Sequence, residues 1–201
     1  LRDASGLDAF VLDIGDAGIV RGLLEGVAPD HAMSVSAALA KKDEASLEEL
    51  CRSLDEALAH RVMALSRLHG GRDALTSAIE LLAGTNAEPS ARRLLALFDA
   101  ATASGLGDVL TVDPGEVRGL SYYTGTIFSI YAEGSGDPLG GGGRYDDLLA
   151  RYGSPQPAIG LGLDLDALAR AIRASKEARA RSQAPPETPA SVVVVGPSSD
   201  P

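Results

Sequence analysis

The sequence predicts an α+β fold: an antiparallel sheet with flanking helices, interrupted by a helical insertion. Three observations carry that prediction. A short apolar run lies near the start of the 201-residue chain, a long block with helical spacing follows, and β-rich segments return after Gly107. Strands, then helices, then strands and helices again fit α+β better than a regular strand–helix alternation. The chain shows no internal repeat.

Residues 9–12 (AFVL) read as the first strand, with Asp13 at its end. Asp16 is the expected N-cap of a helix in which Ile19, Leu23 and Val27 recur at helical spacing, widened by Val20 and Leu24. A second helix is expected from Pro29–Asp30. Residues 46–68 predict one long helix on a stripe of Leu47, Leu50, Leu54, Leu58 and Met63, with His69 in its last turn and Gly70-Gly71 ending it. Helices over 72–82 and 89–103, the latter with an apolar face of Leu94, Leu95, Leu97 and Phe98, complete a helical block spanning about 29–105.

DVLTVDP (108–114) predicts a strand stopped by its proline. RGLSYYTGTIFSIY (118–131) is rich in Tyr, Thr, Ile and Phe, which suit a pleated sheet. Read as one strand, it places Tyr122, Thr124, Thr126, Phe128 and Ile130 on one face and Tyr123, Gly125, Ile127, Ser129 and Tyr131 on the other. Neither face is purely apolar, so both are expected to be covered. Gly140–Gly143 lead into an expected short helix carrying Leu148 and Leu149. Residues 158–163 predict a strand, followed by a helix capped by Asp166.

Lys and Arg total 18 against 28 Asp and Glu, a net charge of −10, which argues against a broad electrostatic footprint on nucleic acid. A single cysteine, Cys51, excludes an internal disulfide framework and any cysteine-based zinc cluster; it reads as a small packing residue. His31, His60 and His69 show no metal-ligand spacing, so no metal is expected. No stretch approaches about 18 apolar residues, so no membrane span is expected. The chain starts at Leu1 and ends SVVVVGPSSDP. It reads as a piece of a longer protein: a partial core over 1–182, a linker over 183–190, and over 191–201 the start of a further segment whose 191–195 read as a strand. Exposed apolar surface is the expected consequence.

The glycine run is neither a P-loop nor a dinucleotide fingerprint, because GxxxxGK[ST] and GxGxxG are both absent. Such glycines let a backbone pass close to a ligand or to a neighbouring strand, and spacing leaves both open. Arg118 has the chemistry to hold a carboxylate or phosphate in bidentate fashion, or to pair with Glu116. Alternation would let only one of Tyr122 and Tyr123 face a given pocket. Asp164 and Asp166 read as strand end and helix cap rather than as paired acids. No nucleophile–base constellation emerges.

Together these segments resemble a known family. RGLSYYTGTIFSIY (118–131) is similar to the first histidine-binding signature of histidyl-tRNA synthetases, usually RGLDYYTGTVFE, and GGGRYDDLL (141–149) to the second, GGRYDGL. PAIGLGLDLDAL (157–168) stands where the third class II synthetase motif occurs, commonly near PAVGFAIGLERL. The three follow the family's order and spacing over roughly 108–175. FVLDIGDAGIVRGLL (10–24) resembles the LDLGHVGIFRALL pattern of the synthetase's non-catalytic relative, the regulatory subunit of ATP phosphoribosyltransferase. The resemblance implies a class II aminoacyl-tRNA synthetase-like fold.

The departures favour the regulatory relative. Ala167 stands where the synthetase has an arginine that grips ATP phosphates, and alanine has no charge to offer. Ser121 and Ser129 replace the usual Asp and Glu. The resemblance then implies a regulatory subunit without catalytic residues or cofactor, supporting the first step of histidine biosynthesis in the cytoplasm. It implies a short-form catalytic subunit as partner, self-association, and histidine as effector. Carried over by position, Arg118 would meet the ligand carboxylate, Tyr122 and Tyr123 would line or support the imidazole pocket, and Gly141, Gly142 and Tyr145 would form its wall. The rival is a histidyl-tRNA synthetase, with nucleic acid as partner. A third reading is a binding module of the same fold for another amino acid.

Overall fold

The computed structural model describes Leu7, residues 9–118 and residues 122–183. Its sheet has the order β2-β1-β3-β4-β5, with β1 Val11–Asp16, β2 Leu110–Val112, β3 Thr126–Tyr131, β4 Gly140–Arg144 and β5 Ile159–Leu163. Six helices lie between β1 and β2: α1 Ala17–Leu23, α2 Pro29–Lys41, α3 Glu44–Cys51, α4 Glu56–Arg67, α5 Arg72–Leu81 and α6 Glu88–Ala101. A seventh, α7 Leu165–Gln183, follows β5. The predicted α+β architecture is therefore observed. Among the described strands only β1 and β2 pair in parallel, and the helical block supplies the long crossover that parallel neighbours require; the other pairings are antiparallel.

Several elements differ from expectation, each for a local reason. The first strand begins at Val11 rather than residue 9 and runs to Asp16. The helix expected over 46–68 is two helices. Asp43 accepts from the Ser46 N–H to start α3, and Asp55 accepts from the Leu58 N–H to start α4, so two caps divide one apolar stripe. His69 lies beyond the end of α4, with its Nε2 3.8 Å from Asp13 Oδ1. Gly140–Gly143 form strand β4 itself, and a 3₁₀ turn at Leu149–Tyr152 replaces the expected short helix. Asp164, not Asp166, caps α7 by accepting from the Ala167 N–H at 2.9 Å. The expected linker over 183–190 and strand over 191–195 lie outside the described residues, apart from Gln183 at the end of α7.

The register gives the sheet two unlike faces. One row runs Leu110, Leu12, Ile130, Gly140, Leu163, and the next on that face Val112, Ile14, Phe128, Gly142, Leu161. This apolar face is covered by the helical block, whose core includes Ile14, Leu110 and Val112, and by a smaller cluster of Leu7, Ile130, Leu139, Ala167 and Ala171. Leu12 and Phe128 touch both clusters and join them. Beyond that cover, Ile159, Leu161 and Leu163 stay exposed. The opposite face carries Thr111, Asp13, Ser129, Gly141 and Gly162 in one row and Gly15, Ile127, Gly143 and Gly160 in the next. Apart from Ile127 it is built of glycine and small or polar residues.

The helical block is tied to the sheet by a buried ion pair. Asp16 has no exposed surface. It caps α1 by accepting from the Gly18 N–H, as its sequence position predicts. It also accepts both Nε (3.1 Å) and Nη2 (3.0 Å) of Arg93 on α6. No local pattern marks Arg93, which lies 77 residues away.

Candidate functional site

The polar, glycine-rich face of the sheet is floored so that side chains from the loops lie directly on the backbone. A Cβ at Gly15 would lie 2.9 Å from Glu116 Cβ, one at Gly141 2.7 Å from Arg118 Nη1, and one at Gly143 2.8 Å from the Tyr123 ring. A Cβ at Gly160 would lie 2.5 Å from the Tyr145 hydroxyl. Four glycines thus hold Glu116, Arg118, Tyr123 and Tyr145 against one surface. Both readings of the glycines apply at once: they let neighbouring strands approach and they seat side chains. At Gly162 the floor is open, since the nearest atom to a Cβ there is 4.0 Å away.

The three tyrosines form a cluster. The rings of Tyr122 and Tyr123 are 4.6 Å apart and tilted, and Tyr145 meets Tyr122 edge-on at 5.5 Å. The alternation expected to separate Tyr122 from Tyr123 does not apply, because β3 begins at Thr126 and both precede it. Burial, then a hydrogen bond with Tyr122, pushes the Tyr123 phenol above its ordinary pKa. Arg21 of α1 donates to the carbonyls of Tyr123 (3.3 Å) and Thr124 (3.1 Å), which fixes the segment carrying Tyr123. Arg118 and Glu116 form an ion pair at 3.4 Å, both side chains about three-quarters buried. A cavity of about 1030 Å³ opens between α1, α2 and the segment 116–118, with Arg21, Met33, Glu116, Arg118 and Tyr123 in its lining.

Of the six expected site residues, Arg118, Tyr122, Tyr123, Gly141 and Tyr145 are brought together. Gly142 belongs to the opposite face, opposite Phe128 and Leu161, because it alternates with Gly141. Ser121 lies outside the described residues. Ala167 is fully buried in the small apolar cluster and packs rather than reaching the site. Cys51 is buried, and burial raises its thiol. His31 Nε2 lies 3.1 Å from the Leu50 carbonyl and 3.0 Å from the Ser53 hydroxyl. Among the described residues no group of three or more His, Cys, Asp or Glu is placed to hold a metal, and no helix is long and apolar enough to cross a membrane.

Sequence reasoning missed the charged border beside Arg118. Lys42, the left-handed C-cap of α2, places Nζ 2.6 Å from Asp113 Oδ2. Asp13 accepts from Thr111 Oγ1 at 2.8 Å. Burial raises the Asp13 carboxyl first; the Thr111 hydrogen bond opposes it and Asp113 adds to it. Burial likewise raises Glu116, with Asp113 adding and Arg118 opposing. A carboxyl raised on folding binds more protons in the native state, so its contribution is present below the ordinary carboxylate range and is lost as pH rises through the raised value. Asp13→Asn is therefore expected to lessen the loss of stability as pH rises above the ordinary carboxylate range. Melting temperature against pH checks this; a curve parallel to the wild type contradicts it.

A family model described as Histidyl-tRNA synthetase matches residues 1–168. An ATP phosphoribosyltransferase regulatory subunit from Moorella thermoacetica is 38% identical over 168 residues, 82% of this chain and 43% of that protein. One from Variovorax paradoxus is 38% identical over 180 residues, 86% of this chain and 47% of that protein. The chain spans less than half the length of these curated relatives. A crystal structure titled as an ATP phosphoribosyltransferase regulatory subunit/histidyl-tRNA synthetase from Bacillus halodurans superposes with a TM-score of 0.76 at 28% identity, over 89% of this chain and 53% of that one.

Proposed function

Because this chain belongs to the family that unites histidyl-tRNA synthetases with ATP phosphoribosyltransferase regulatory subunits, we propose that its protein is a non-catalytic regulatory subunit of ATP phosphoribosyltransferase. It serves the first step of histidine biosynthesis, in the cytoplasm. The observation that carries the reading is the 38% identity to two proteins of that name over more than four-fifths of the chain. The burial of Ala167 supports it: the position offers a methyl group to the core and no cation to a nucleotide phosphate.

In this reading the subunit associates with itself and with a short-form catalytic subunit, and the floored pocket takes histidine. Arg118 meets the carboxylate, Tyr122, Tyr123 and Tyr145 enclose the ring, and Gly141 gives the backbone room. Regulation is linkage: partner and histidine each bind one state better, so each changes the other's affinity by the same factor.

The deciding experiment is histidine-dependent ATP–pyrophosphate exchange by the intact, folded protein. None is expected; clear exchange would make it a synthetase. The pocket itself is tested by calorimetry. Arg118→Ala is expected to weaken histidine binding about 10- to 100-fold, the loss of a charge-assisted contact. Unchanged affinity would remove Arg118 from the site.

A further inference from the structure

Glu116 stands outside the matched motifs, yet the structure gives it a place in the pocket. Among the described residues it is the one carboxylate ion-paired with Arg118, and it approaches the Nε edge of the guanidinium. The terminal nitrogens Nη1 and Nη2 lie over Gly141 instead. A guanidinium offers five N–H donors in a flat fork, so one edge can be held by the protein while the other end serves a ligand.

Glu116 is itself held from below. Its N–H donates to the Asp113 carbonyl at 3.1 Å, closing a tight turn. Asp113 Oδ1 accepts from the Gly115 N–H at 2.9 Å, and Lys42 pins Oδ2. The turn therefore presses the Glu116 Cβ onto Gly15, where no side chain fits beneath it. A chain of contacts runs from α2 through Lys42, Asp113 and Glu116 to Arg118.

We infer that Glu116 is a positioning residue, fixing the Arg118 guanidinium by its Nε edge over Gly141 so that Nη1 and Nη2 face a ligand carboxylate. The inference rests on the histidine reading of the pocket for its ligand, but not for the geometry it asserts. In the absence of ligand, Glu116 also supplies the counter-charge that a three-quarters-buried guanidinium requires.

The test uses the intact protein and the near-isosteric E116Q variant, titrated with histidine and with histidinol, which lacks the carboxylate. E116Q is expected to raise the histidine Kd about ten-fold and to leave the histidinol Kd within about two-fold. A histidine Kd within two-fold of the wild type, or an equal loss for both ligands, overturns the inference. If the wild type binds neither ligand, the histidine reading fails by itself, and the crystal structure of E116Q then decides: Arg118 leaving Gly141 supports positioning, and Arg118 unmoved overturns it.

Discussion

Gly142→Ala is expected to destabilise the intact protein by about 3 kcal/mol, the upper end of ordinary overpacking. Gly142 lies in β4 between two strands. A Cβ there would collide with the Gly160 carbonyl oxygen, and would lie 2.9 Å from its carbon and 3.0 Å from Phe128 Cζ. The first two atoms are backbone of β5, which cannot step aside without breaking the β4–β5 ladder. β5 is an edge strand paired only with β4 among the described strands, so the relief is detachment. Gly162→Ala is the control. It lies in β5 on the opposite face, where the nearest atom to a new Cβ is 4.0 Å away. Its effect is expected within about 0.5 kcal/mol. Denaturant unfolding of both variants checks the pair; equal effects would contradict the packing argument.

Arg93→Ala is expected to cost a similar amount, about 3 kcal/mol, the lower end for breaking a buried ion pair. Asp16 is wholly buried, and both its oxygens are engaged by Arg93. Without Arg93 the Gly18 N–H remains, which satisfies one oxygen but not the charge. The Arg93 side chain is half exposed, so water can reach the vacated side and soften the loss. Arg93→Lys is expected to recover only part, because an ammonium cannot reproduce the bidentate fork. A double-mutant cycle with Asp16→Asn should show coupling; additive effects would mean that the pair does not tie α6 to β1.

Much of the fold was legible because its signals are local. Pro29, the stripe of Leu94, Leu95, Leu97 and Phe98, and Asp16 before Ile19 each specify an element through propensity or capping. The break between α3 and α4 was also local, since Asp43 and Asp55 are both good caps. The stripe from Leu47 to Leu58 crosses the break at steps of three and four, and so concealed it. The glycine strand shows no strand pattern because its first four residues, Gly140 to Gly143, have no side chains to declare an alternation. Its strand character comes from ladders on both sides.

The site divides in the same way. Arg118, Tyr122, Tyr123, Gly141 and Tyr145 are candidates named by motif resemblance, and the structure brings them together. Glu116 was legible only as a pairing option for Arg118, and Lys42 not at all, because an ion pair leaves no periodic trace along a chain. Asp113 and Lys42 lie 71 positions apart and meet only when α2 is folded over the β2 end of the sheet.

By itself, the sequence determined the extent of the helical block, the Asp16 cap, the acidic charge and the family, because each depends on neighbours in the chain or on residue identity. The tertiary structure alone decided which glycines bear side chains, which tyrosines share a surface, and which acids are buried. Those properties depend on strand register and on contacts between distant segments, and register sends Gly141 and Gly142 to opposite faces although they are adjacent in the chain.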